Sequence, residues 1–369
     1  MESKIVWEIA PTPQNGRNSE GAFFRAPDGA LLFAYSRYAT PDYVDDARCD
    51  IAMIRSEDEG ETWGEPRIIV EAAFFGVQNV MSVSAVPMPD GTPCIYFLIK
   101  ETTTDGIVQS TLGRAYSKDG VHFTPERCRF ENVLPQYYVV LNDRMIRLSD
   151  GRILAPTNQA YIEKGQPYDG GSPVLALISD DDGASFHPTC ARAALYSRNN
   201  TGLNQPWGDP NMCGLQEPGA IELGKGITYW WARTSLGCQY EWYSLNDLYS
   251  FTQPQASGFT SPLSPLGMWR LSDGSVVAVY NPIPNYDTRP MSYITLGRTP
   301  LVLRRSTDNA ATFGALNVLD DDPERGFCYP ALFETKDGCL LCAYCCGGAE
   351  DKLTLNRLCI RKIVIDTLE

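Results

Sequence analysis

Histidine is nearly absent from this chain: its 369 residues hold two, His122 and His187, both inside turn motifs. The cysteine cluster Cys342, Cys345 and Cys346 therefore has no imidazole near it in sequence, and no zinc site is expected. There is no run of 18 apolar residues, which argues against a membrane-spanning helix. The N-terminal stretch MESKIVWEIAPTPQNG lacks both an apolar segment of signal-peptide length and a small-residue cleavage site. The expectation is a cytoplasmic protein without a membrane partner, in which the 12 cysteines are free thiols. Basic residues are the scarcer charge, 31 against 45 acidic ones, and the net −14 would repel a phosphate polyanion. Nucleic acid is thus excluded as a partner class. Apolar residues at helical spacing are also missing over any useful length.

What the chain does contain is core material of a strand-forming kind: 43% of residues are hydrophobic, with 19 Tyr and 7 Trp. Segments such as ALLFAYSR, CDIAMIRS, SVVAVYN and PLVLRRS, bounded by turn residues, read as short strands. A turn-like motif repeats. SEDEGETW from Ser56 recurs as SKDGVHF from Ser117, SDDDGASF from Ser179, SLNDLYSF from Ser244 and STDNAATF from Ser306, at separations of 61, 62, 65 and 62 residues. Hairpin signals at Asp28, Asp90, Asp150, Asp273 and Asp337, with a degenerate one at Gly224-Lys225-Gly226, keep the same period. At about 62 residues per repeat the chain holds about six, with the motif in five.

The prediction is an all-β fold in which residues 1–369 form one domain, a six-bladed β-propeller with about four antiparallel strands per blade. A ring of blades packs face to face and protects the sheet edges that an isolated four-stranded unit would expose. The strand Lys4 to Ile9 is expected to complete the last blade and close the ring. In the repeated motif, Asp and Ser side chains can bind turn backbone groups while Trp or Phe tucks into the blade, so it reads as a hairpin stabiliser. The acidic run Asp180 to Asp182 lacks the full loop of oxygen ligands that calcium needs. No motif demands a cofactor.

Innermost strands line the channel of such a ring, and their starting ends converge at one mouth. Counting eight residues back from each hairpin signal gives Glu20, Ser82, Asn142, Glu217, Pro265 and Tyr329. Glu20, Asn142, Glu217 and Tyr329 converge there as a candidate site.

The repeated motifs, their spacing, the six-unit count and the stretch QEPGAIEL resemble the sialidase (neuraminidase) superfamily of glycoside hydrolases, whose turns are known as Asp boxes or BNR repeats. The likeness covers nearly the whole chain. It implies a retaining exo-glycosidase acting on a terminal acidic sugar of a glycan, with carbohydrate as the only partner. Tyr329 in FCYPALFE matches the family's nucleophile and Glu217 in QEPGAIEL its base. A neutral phenol suits an anomeric carbon that bears a carboxylate, because a carboxylate nucleophile would be repelled. Asp46, with Asp45 as its neighbour and competitor, matches the acid/base on the first blade's loop. Arg233 and Arg298 match two arginines that grip the substrate carboxylate, and Arg37 a further sugar contact.

One departure stands out. Where the family opens its first inner strand with an arginine, this chain has Ser19-Glu20-Gly21, which reverses the local charge. Arg17, Arg25 and Arg144 are the candidates to compensate, with Arg144 best placed beside Asn142. Two other readings therefore stay open: a glycosidase or lyase of different sugar specificity using Glu20 and Glu217 as paired carboxylates, and a carbohydrate-binding propeller without catalysis.

Overall fold

The structure, a computed structural model, describes residues 1–39, 44–104, 106–133, 135–160, 173–195, 214–283 and 292–368. Among these the fold is all-β, with helix confined to short 3₁₀ turns such as Ala72–Phe75 and Thr354–Asn356. No described helix is long and apolar enough to cross a membrane. The eleven described cysteines are free, as expected, and Cys213 lies outside the described residues.

The expected strands form, as Leu31–Tyr38, Cys49–Ser56, Val276–Tyr280 and Leu301–Ser306. Alternation alone does not explain their burial, because both faces of each inner strand meet a neighbouring sheet and apolar residues run continuously. The strands hydrogen-bond into five small sheets in a propeller-like arrangement, three of four strands, one of six and one of eight. The eight-stranded sheet joins the first two sequence repeats through a single parallel bridge, Cys49 to Asn79. The N-terminal strand Ser3–Ile9 pairs antiparallel with Leu358–Val364, so the two ends of the sequence share one sheet as anticipated.

Packing between sheets follows the sequence order of the repeats. Phe97 and Ile99 of the second repeat pack on Leu32 and Met53 of the first. Trp230 and Trp242 of the fourth pack on Leu154 and Ile178 of the third. Leu303 of the fifth meets Leu340 and Ile363 of the sixth. Phe33 and Ile54 of the first then meet Leu341 and Ile360 of the sixth, which brings the last repeat back onto the first. Burying one such Leu or Ile contributes about 1.5–3 kcal/mol, and these faces hold most of the large apolar side chains.

The Asp-box turns are built by their own side chains. Ser56 Oγ donates to Asp58 Oδ1 (2.8 Å) and accepts from Gly60 N–H (2.9 Å), while Asp58 Oδ1 accepts from Thr62 N–H (2.9 Å). Ser179, Asp181, Gly183 and Ser185 repeat the pattern, as do Ser306, Asp308, Ala310 and Thr312.

Candidate active site

Five non-glycine residues near the start of the innermost strands adopt left-handed backbone: Glu20 (φ 55°), Ser82 (60°), Asp143 (53°), Glu217 (51°) and Tyr329 (57°). Strand pairing skips at four of them, between Ser19 and Ala22, Met81 and Ser84, Gln216 and Gly219, and Cys328 and Ala331. Each skip is a β-bulge, which bends the strand and re-aims one side chain. The bent strand passes so close to its neighbour that a Cβ on Gly21 would lie 2.3 Å from the Phe33 ring, and one on Gly219 2.3 Å from Trp231. In the third repeat the left-handed residue is Asp143, one beyond the expected Asn142. Pro265 of the fifth has no positive φ.

These bulges gather side chains around a cavity of about 320 Å³, a size that suits a small ligand. Glu20, Asp45, Ser82, Glu217, Arg233 and Tyr329 supply its polar wall, while Met81, Leu98 and Leu141 are apolar. Tyr329 Oη donates to Glu217 Oε1 at 3.2 Å. Arg233 Nη1 lies 3.0 Å from Glu217 Oε2 and donates to Tyr329 Oη at 3.3 Å, and its Nη2 donates to Gln216 Oε1. Asn158 Oδ1 accepts the Glu217 N–H at 2.9 Å and pins the bulge. Burial drives the Tyr329 phenol well above its ordinary pKa and Glu217 adds to this, against the pull of Arg233 and Arg298. The hydroxyl is therefore neutral and keeps its proton for a neighbouring carboxylate.

A second chain of charge borders the cavity. Glu20 is buried, with Oε1 accepting from Ser82 Oγ (3.2 Å) and Oε2 from Arg17 Nη2 (2.9 Å) and Ser19 Oγ (3.1 Å). Burial raises the Glu20 carboxyl pKa, Arg17 pulls it back, and Asp45 and Glu217 push it up again. Arg17 Nη1 reaches Asp45 Oδ1 at 2.5 Å. The Asp45 side chain is 68% exposed and is one of the residues that line the cavity. Desolvation by the neighbouring protein raises its pKa, but Arg17 outweighs this through charge and hydrogen bond, and Lys100 and Arg233 add to the pull, so Asp45 sits below the usual carboxylate range.

Several expectations change with this geometry. Asp45, not Asp46, faces the cavity of Tyr329. Asp46 pairs with Lys100 Nζ at 2.7 Å and lines a separate cavity of about 420 Å³. The cation beside Glu20 is Arg17 and not Arg144, because Arg144 is buried between strands with Nη2 donating to Leu266 O (2.7 Å). Desolvation lowers Arg144 to about 10 despite Asp143 and Glu217. Arg25 binds Glu59. Asn142 is fully buried and donates to Gly21 O (3.1 Å) and Tyr329 O (3.5 Å), a stitch behind the site and not a wall of it. Arg37 pairs across strands with Asn18 and Asp50 and is not among the cavity's lining residues. Arg298 lies behind Tyr329, 5.5 Å from its ring centroid, with Nη1 donating to Cys328 Sγ (3.2 Å) and Nη2 to Leu263 O (3.1 Å). Asn158, Tyr137 and Cys328 enter the site without having been anticipated. Cys328 could have been noticed as the residue before Tyr329, whereas Asn158 and Tyr137 left no mark in the repeat.

The BNR repeat-like domain family matches residues 95–342. No curated protein matches the sequence. Among solved structures, the chain is similar to a protein of unknown function from Dyadobacter fermentans, at 17% identity and TM-score 0.69 over 98% of this chain and 99% of that one. It is also similar to the NanB sialidase from Streptococcus pneumoniae, at 12% identity and TM-score 0.68 over 99% of this chain and 71% of that one. The intramolecular trans-sialidase from Ruminococcus gnavus aligns at 12% identity and TM-score 0.65, over 98% of this chain and 97% of that one.

Proposed function

Since the chain belongs to the BNR repeat-like family and has a sialidase-superfamily β-propeller fold, we propose that it is a retaining exo-glycosidase acting on the terminal sugar of a glycan or oligosaccharide. The observation that carries this reading is the 3.2 Å hydrogen bond from the Tyr329 hydroxyl to Glu217, at the wall of a cavity of sugar size.

In the first step Tyr329 Oη attacks the anomeric carbon as the bond to the leaving oxygen breaks, and the phenol proton passes to Glu217. Arg233, beside both groups, offsets the negative charge that develops on the phenol oxygen. Asp45 takes the acid/base role in place of Asp46, giving its proton to the leaving oxygen and recovering one from the water that attacks in the second step. Arg17 keeps Asp45 ionised in the free protein, so the substrate must loosen that ion pair before Asp45 carries a proton. Glu217 then returns the proton to Tyr329, and two inversions leave the anomeric configuration unchanged. The alternative that pairs Glu20 with Glu217 as two catalytic carboxylates fits less well, because both Glu20 oxygens already accept from protein donors.

We also read the eight-stranded sheet as two blades joined at one bridge, which makes the chain a single domain of six blades. The cyclic order of packing, with the sixth repeat back on the first, supports that count.

Tyr329→Phe and Glu217→Gln test the mechanism against a panel of chromogenic glycosides. Each is expected to lower kcat by about 10²–10⁴-fold with an unchanged melting temperature. Near wild-type kcat in both would remove the assignment.

A further inference from the structure

Among the described residues, the guanidinium groups of Arg17, Arg233 and Arg298 lie at or directly behind the cavity, and each terminal nitrogen of these three faces a protein acceptor. Arg17 gives Nη1 to Asp45 and Nη2 to Glu20. Arg233 gives Nη1 to Glu217 and Tyr329, and Nη2 to Gln216. Arg298 gives Nη1 to Cys328 Sγ and Nη2 to Leu263 O. Among the described residues that line the cavity, Arg233 is the one cation, whereas Glu20, Asp45 and Glu217 are all acidic. An arriving carboxylate would have to break an internal ion pair and sit among the carboxylates that the break releases. Like charges brought together in this way repel one another and disfavour binding. The chain as a whole, at −14, repels an anion on approach.

The same wall suits hydroxyl groups. Asp45 is exposed and lines the cavity, and carboxylates accept hydrogen bonds from sugar hydroxyls without bringing like charges together. Met81, Leu98 and Leu141 offer an apolar surface for the C–H face of a pyranose, with Tyr137 alongside. The phenol nucleophile also has a reason that does not involve the substrate. It is neutral before attack, so it adds no fourth negative charge to a wall that already carries three acidic side chains.

We propose that the site takes a neutral, polyhydroxylated terminal sugar with no carboxylate on its anomeric carbon, and that Glu20 and Asp45, held by Arg17, are the residues that reject an acidic one. This rests on the glycosidase reading above. The test is the wild-type protein with 4-nitrophenyl α- and β-glycosides of glucose, galactose, mannose, fucose and N-acetylglucosamine, set against 4-nitrophenyl glucuronide and a 4-nitrophenyl sialoside, with Tyr329→Phe as control throughout. The expected result is Tyr329-dependent turnover of a neutral glycoside with kcat/KM about 100-fold or more above that of either acidic substrate. Glu20→Gln, which removes one charge while keeping the contacts to Ser82 and Arg17, should narrow that ratio about tenfold. Tyr329-dependent turnover of the sialoside or glucuronide at an equal or higher kcat/KM would overturn the substrate class and leave the glycosidase reading standing. Absence of Tyr329-dependent turnover in every arm would overturn the glycosidase reading itself.

Discussion

Asp143 shows what one carboxyl can cost when a left-handed backbone turns it inward. Half-buried, it accepts the Leu332 N–H at 2.9 Å, and burial pushes its pKa up to about 6 against the pull of that bond and of Arg144. A carboxyl whose folded pKa is raised favours the folded state below its unfolded pKa of about 4 and loses that contribution as pH climbs through about 6. Asp143→Asn, which keeps an acceptor for Leu332 and tolerates a left-handed backbone, should match the wild type near pH 4. At pH 8 it should be more stable by on the order of 2 kcal/mol, as read by urea unfolding at the two pH values. The same scale explains what could be read ahead of the structure and what could not. Tyr329 and Glu217 were legible because counting back from a hairpin finds equivalent residues whatever their side chains. Arg17 was underrated for a geometric reason. In a regular strand, residues three apart point to opposite faces, and only the bulge at Glu20 brings Arg17 onto the same side as the carboxylate it binds. The choice between Asp45 and Asp46 turned on a loop peptide held by Lys100, whose Nζ donates to Asp45 O (2.9 Å), and nothing local in the sequence encodes that.

At the scale of the element, the turn and the bulge divide stability from function. The Asp-box turn is complete within eight residues, so its chemistry was visible in the sequence. Ser56 is buried and its hydroxyl both donates and accepts, so Ser56→Ala leaves Gly60 N–H without that partner. The expected cost is about 1–2 kcal/mol in chemical denaturation with kcat/KM unchanged. A matching fall in kcat/KM would show that the turn reaches the cavity. The bulges are the reverse case. Left-handed backbone at a non-glycine residue costs of order 1 kcal/mol, and four of the five such residues, Glu20, Ser82, Glu217 and Tyr329, line one cavity, into which the bulges aim their side chains. Nothing in those residue types announces positive φ, which is why the third repeat was aligned one residue early.

For the whole molecule, the repeat period carried the architecture because each unit buries its faces only against its neighbours, so the pattern must recur along the chain. The pairing of Ser3–Ile9 with Leu358–Val364 is the step that repetition alone does not supply. Deleting residues 1–10 should expose the Leu358–Val364 edge and lower the calorimetric midpoint by about 5–10 °C, with a broader transition. An unchanged midpoint would mean that face packing between the sixth and first repeats is enough without that strand. The same pairing also sets an order of events during synthesis. Ser3–Ile9 has no strand partner until Leu358–Val364, more than 300 residues further along, has left the ribosome, so over that whole span a nascent chain carries an unclosed arc with an open edge exposed to chaperones.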